Sequence, residues 1–210
     1  MISTSWEEYL LFGAFFAAVA GVYVLWAVLQ SRGETKRRKA LASVAAAAGW
    51  DSPQYSEVQA KFEKLRGKET WTSNPIVRRD GSCVLFDYMF VRKPMGSTRW
   101  SYDVLQTVVY VRSDRLDLPV MSIEPLRFSA PSDKTTFADA YTVRSAERAI
   151  FDEFPNAETR EYLLTNTGIS INGEGNEIFV FRPGNLATPD QILEFAKWGE
   201  GVARMFERPA

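Results

Sequence analysis

From Tyr9 to Leu29 the chain sets apolar residue after apolar residue, with no charge and no proline. About twenty residues rising ~1.5 Å each cover the roughly 30 Å of hydrocarbon in a bilayer. Inside lipid an isolated stretch of this kind must be helical, because only then are its own N–H and C=O groups bonded to each other. The pattern predicts one transmembrane helix over residues 9–29, with Tyr9 at one end and Tyr23 and Trp26 toward the other as headgroup-level aromatics. Ala18-Val19-Ala20 has the small residues of a signal-peptide cleavage site, but the leading residues are acidic where a signal peptide is basic. The apolar run also outlasts the roughly 7 to 15 residues of a signal core.

Beyond the span the pattern becomes amphipathic. Glu34 to Ala48 predicts a second helix, with Leu41, Val44, Ala45 and Ala48 on one face, separated from the first by Arg32-Gly33 and stopped at Gly49. Pro53 in a first turn and Val58, Phe62 and Leu65 before Gly67 predict a third. Near Trp71 the period changes. Cys83 to Val91 and Trp100 to Arg112 are β-rich runs parted by Pro94-Met95-Gly96, the signature of an antiparallel hairpin. The first run is apolar on both faces, as for a central strand covered on both sides.

Leu118 to Glu124 predicts a third strand, Ser129 to Thr135 a loop, and Phe137 to Val143 a short strand. Ser145 to Phe151 and Ala157 to Leu164 predict helices, parted at Pro155. Ile169 and Ile171 alternate with polar residues before the turn Gly173-Glu174-Gly175-Asn176 and the strand Glu177 to Phe181. A C-terminal helix follows, with Thr188 as cap, Pro189 first, Gln191 as capping-box partner, and Ile192, Phe195, Ala196, Gly199, Val202 and Phe206 on one face. Strands followed by one amphipathic helix imply an α+β domain, for which a pleckstrin-homology-like arrangement is one possibility. The expected organisation is a short extracytoplasmic tail (1–8), the transmembrane helix (9–29), a basic helical spacer (30–68) and a soluble α+β domain (69–210).

Charge sets the expected orientation. Arg32, Lys36, Arg37, Arg38 and Lys39 follow the span, whereas no Lys or Arg precedes it. The positive-inside rule then puts the N-terminus outside and the C-terminal domain in the cytoplasm. The same cluster could meet anionic headgroups, but topology alone accounts for it. Gly13, Ala17 and Gly21 have the small-xxx-small spacing that lets a second membrane helix approach.

Composition narrows the chemistry. Glu7 and Glu8 are the only charges before Arg32, so a chain of net −1 leaves +1 for the rest. Such balance argues against nucleic acid as the partner. Histidine is absent altogether, which excludes a Ser-His-Asp or Cys-His relay and a Cys/His zinc site. Cys83, the single cysteine, begins a strand and reads as a buried structural residue. Gly173-Glu174-Gly175 lacks the Gly-Lys-Ser/Thr of a phosphate loop and reads as a turn. Asp114, Asp117 and Glu124, or Asp152 with Glu153, form no recognisable metal or acid/base motif. Trp71, Tyr88, Phe90, Trp100 and Tyr102 could make an aromatic ligand surface, with core packing the default. No catalytic, cofactor or metal residue is expected.

Gly49-Trp50, Phe86-Asp87-Tyr88, Thr107-Val108-Val109, Leu118-Pro119, Glu124-Pro125 and Phe137 followed by Tyr141 and Val143 resemble a group of uncharacterised bacterial proteins with one transmembrane helix and a small cytoplasmic domain. The resemblance implies a shared packing and carries no activity. Two function classes are expected, the first, without catalytic activity, as the leading one and the second as its alternative. One is a membrane-anchored interaction or scaffold domain holding a protein partner or another copy of itself. The other is a membrane-tethered domain binding a lipid or small molecule. A sealed core with an apolar outer patch favours the first, and a cavity of several hundred Å³ with a few polar groups the second. An enzyme would need converging carboxylates or a buried lysine in a cleft.

Overall fold

The computed structural model describes residues 6–53, 70–92, 102–126, 136–145 and 155–208. The predicted helix at 53–67, the loop at 129–135 and the helix at 145–151 fall largely outside them. The chain divides into two compact units, Met1–Ala40 and Leu41–Ala210.

One unbroken helix, α1 (Trp6–Ala47), replaces the two helices expected around Arg32-Gly33. A single glycine costs about 1 kcal/mol against alanine, which the Ala, Lys, Arg and Glu residues after it offset as strong helix formers. Ser31 and Thr35 turn their hydroxyls onto the helix's own carbonyls, at Val28 (3.0 Å) and Ser31 (2.8 Å). The helix ends where predicted, with Gly49 at φ +74°. In the first unit Phe15, Phe16, Val22, Tyr23, Val24 and Leu25 are each at least 60% exposed. The helix contains an 18-residue window of mean hydropathy 1.8, is long and apolar enough to cross a membrane, and buries none of that window against protein.

The second unit is an antiparallel sheet with helices. Its strands are β1 (Trp50–Asp51), β2 (Thr70–Arg78), β3 (Cys83–Arg92), β4 (Tyr102–Arg112), β5 (Leu118–Pro125), β6 (Tyr141–Ser145), β7 (Ser170–Gly175) and β8 (Glu177–Phe181). They pair in the order β1-β2-β3-β4-β8-β7-β5-β6. The α+β class, the hairpins β3-β4 and β7-β8 and the central place of β3 follow the sequence pattern.

Alternation along each strand explains the doubly apolar runs. Cys83, Leu85, Val109, Val111, Ile178 and Val180 enter the main core. Val84, Phe86, Val108, Tyr110 and Phe179, one residue out of step, form a second cluster on the opposite face. The main core is closed by α3 (Ala157–Thr165) through Leu163 and by α4 (Ile192–Arg204) through Ile192, Ala196, Val202 and Ala203. Leu41 and Ala45, assigned by pattern to the spacer, are also part of this core.

Three further elements depart from expectation. β2 was hidden by Asn74-Pro75, where the register shifts between Ser73 and Ile76 and Asn74 takes φ 51°. Proline donates no ladder bond and is tolerated at such a bulge. Asn74 Nδ2 donates to the buried Asp87 (2.8 Å), which also accepts from Thr107 Oγ1 (3.2 Å). The strand expected over Phe137–Val143 begins instead as a helical turn, α2 (Phe137–Ala140), because Thr136 and Asp139 form a reciprocal capping box. Finally α4 starts at Ile192, three residues late: Thr188 Oγ1 donates to Gln191 Oε1 (2.8 Å) and caps no N–H.

The α4 contact is close. A Cβ at Gly199 would stand 2.6 Å from Val109 Cβ, whereas one at Gly201 would meet nothing within 4 Å. Gly199→Ala is therefore expected to destabilise the domain by about 1–3 kcal/mol through overpacking. Gly201→Ala should stabilise it by about 0.5–1 kcal/mol through helix propensity. Urea melts of the two full-length variants check this, and equal effects would remove the role given to Gly199.

Candidate functional site

On the sheet face opposite α4, a groove of about 460 Å³ crosses β3, β4, β8, β7 and β5. Most of its side chains are those the alternation sends away from the main core, whereas Met121, which also lines it, belongs to that core. Tyr88 lies beside Gln106 across the β3-β4 ladder, Ser170 beside Phe181 and Asn172 beside Phe179 across β7-β8. Val108, Val120, Glu124, Glu174 and Pro183 complete most of the lining. The volume and the mix of apolar surface with a few polar groups match small-molecule sites.

Several polar groups are held in place. Gln106, 1% exposed, accepts through Oε1 from Gly184 N–H (3.3 Å). Further along the same face Tyr110 donates its hydroxyl to Glu177 (3.0 Å). Burial and the Glu177 carboxylate raise the phenol's pKa well above its ordinary value, so it remains a neutral donor. Val120 stands at the rim, 57% exposed.

The residues singled out by sequence lie elsewhere. Arg32, Lys36, Arg37, Arg38 and Lys39 sit on α1, where Arg32, Lys36 and Lys39 share a face by helical spacing and Arg37 and Arg38 turn to others. Gly13, Ala17 and Gly21 also share one face of α1; Ala17 is exposed, and a Cβ at Gly21 would meet nothing within 4 Å. Of the aromatic set, Tyr88 lines the groove, Trp71, Phe90 and Tyr102 take positions in β2, β3 and β4, and Trp100 is outside the described residues. Asp152 and Glu153 are outside them too. Asp117 pairs with Arg208 and Glu124 is at the groove, so these two carboxylates do not converge. Among the described residues no group of three or more His, Cys, Asp or Glu side chains could hold a metal ion. Gly173-Glu174-Gly175 ends β7 at the hairpin turn.

Pattern reasoning missed the groove as a site. The one trace was the polar alternation around Ile169 and Ile171, which assigns Ser170 and Asn172 to a face of their own.

The sheet arrangement has a counterpart among solved structures. The crystal structure of the mycobacterial trehalose monomycolate transport factor A, TtfA, superposes with a TM-score of 0.50 at 15% identity, over 85% of this chain and 99% of that one. At that identity the likeness is one of fold. No family model and no curated protein matches the sequence.

Cys83 is fully buried, and burial, with the Glu200 carboxylate next, raises its thiol pKa well above the ordinary value. Alkylation at pH 8 should therefore be negligible in the folded chain and should rise with the unfolding transition in urea. Rapid stoichiometric labelling of the native protein would contradict this placement.

Proposed function

We propose that the protein is a membrane-anchored, non-catalytic binding domain, with α1 as the anchor and the groove as the seat of a lipid or small apolar molecule. The observation that carries the reading is the groove itself, a partly apolar recess of about 460 Å³ with buried Gln106 and Ser170 at its surface. Of the two function classes expected from sequence, a recess of this size favours ligand binding. The exposed apolar length of α1 supports anchoring, since so large a continuous apolar surface is rare on water-soluble monomers. The fold shared with a protein named as a trehalose monomycolate transport factor is consistent with a role connected with lipid transport.

In this reading residues 1–8 lie outside the membrane, 9–29 span it, and the basic residues from Arg32 to Lys39 hold the domain on the cytoplasmic side. A scaffold role is the second reading. It is favoured by the Gly13-Ala17-Gly21 face of α1, which would suit self-association in the bilayer.

Val120 offers a test at an exposed position. The full chain, purified from its membrane in mild detergent, is expected to retain an apolar molecule at near-stoichiometric level, detected by mass spectrometry of the extract. Val120→Trp should lower that retention several-fold without a comparable loss of stability. A stoichiometric protein partner with no retained small molecule would favour the scaffold instead. For orientation, a fluorescent protein fused to the C-terminus should be bright and a periplasmic reporter there inactive; the reverse result would overturn the cytoplasmic placement.

A further inference from the structure

Apolar side chains reach the groove from β3 and β4 (Tyr88, Val108), from β8 (Phe179, Phe181) and from β5 (Val120, Met121). Polar ones stand among them and differ in depth. Glu124 and Glu174 are exposed, whereas Gln106 is 1% and Ser170 2% exposed. In the ladder Gln106 is paired with Tyr88, and Ser170 with Phe181, which on its other side pairs with Val108. The two buried polar side chains are thus set among apolar ones. Gln106 has a fixed orientation: Gly184 N–H donates to its Oε1 (3.3 Å), which leaves the NH2 on the other edge of the amide. Among the described residues neither that NH2 nor the Ser170 hydroxyl has a hydrogen-bond partner. A hydroxyl both donates and accepts and so restricts its partner little, but an amide NH2 only donates. Water can serve such a donor in an open groove; a molecule that displaces the water must bring an acceptor of its own to the same place.

Resting on the reading of the groove as a ligand site, we infer that its occupant carries the uncharged carbonyl of an acyl group, as in a lipid ester, and that Gln106 is the residue that holds it. A donor with no acceptor of its own calls for an oxygen that has lone pairs and no proton to place. A carbonyl meets this, whereas a ligand hydroxyl would leave its own proton to be satisfied among apolar side chains. The Gln106 donor is neutral, and its neighbours Tyr88, Val108 and Pro183 are apolar. An ionised acceptor would have to shed its hydration there in exchange for bonds to neutral groups, at far greater cost than a carbonyl. With the carbonyl at Gln106, the acyl chain runs over Val108, Phe181 and Phe179 toward Val120 and Met121.

The test uses the full chain in dodecyl maltoside micelles, which contain no ester, and three probes of one chain length with a diazirine at the chain end: monohexadecanoyl glycerol, its monohexadecyl ether counterpart and hexadecanoic acid. After photolysis, the ester is expected to label peptides of β8 or β5 about tenfold more than the ether at equal concentration, the ratio for one hydrogen bond to a buried neutral donor. That ratio should fall to about one in Gln106→Met. Because the two probes are compared within the same variant, a loss of stability lowers both labels together and leaves the ratio where it was. A ratio that stays near its native value in Gln106→Met removes Gln106 from the role, and should that variant not fold, the ester-to-ether ratio of the native chain decides alone. Equal labelling of the native chain by ester and ether, or strongest labelling by the acid, would overturn the carbonyl assignment while leaving the groove as an apolar site. If no probe labels β8 or β5, the groove reading itself fails.

Discussion

Gly199 allows α4 to lie directly on Val109, in the middle strands of the sheet, and much of the domain depends on that approach. With no side chain at that point, Ile192, Ala196, Val202 and Ala203 reach the core together. Around them gather Leu163 of α3, Leu41 and Ala45 at the end of α1, and Ile123, Ile171 and Ile178 of the sheet. One face of the sheet is thereby occupied. The other face, with its own cluster of Val84, Phe86, Val108, Tyr110 and Phe179, is the face that carries the groove.

Strand order shapes this two-faced sheet. The β7-β8 hairpin sits between β4 and β5, and so sets Ser170 and Asn172 between the apolar side chains of β8 and strand β5. The buried link from Asn74 through Asp87 to Thr107, whose Oγ1 also accepts from Ala187 N–H (3.0 Å), ties β2, β3 and β4 to the segment that leads into α4. Each member of that link has a partner, and a satisfied buried polar network of this kind specifies one arrangement of the strands.

The helix α1 obeys two solvents in turn. Its first part exposes Phe15, Val22 and Leu25, and its last turns bury Leu41 and Ala45. Nothing in local helix propensity distinguishes these parts, which is why Gly33 did not divide them. What distinguishes them is the identity of the side chains: apolar all round from Tyr9 to Leu29, charged through Lys39, then apolar on one stripe.

The sequence alone determined the membrane-competent helix, the central hairpin β3-β4, the β7-β8 turn and the apolar face of α4, because each is written in a local period or a turn residue. It also determined the lack of imidazole chemistry, which needs no structure to establish. Tertiary structure decided the rest. Pairing of β4 with β8 is a long-range choice made by packing, the bulge at Asn74-Pro75 is stabilised by an aspartate thirteen residues away, and the turn at Phe137 follows from a capping box stronger than a short strand's propensity. Apart from the alternation at Ser170 and Asn172, the groove belongs to this second class: Tyr88, Gln106, Asn172 and Glu124 are far apart in sequence and acquire a common meaning only when strand order sets them on one face.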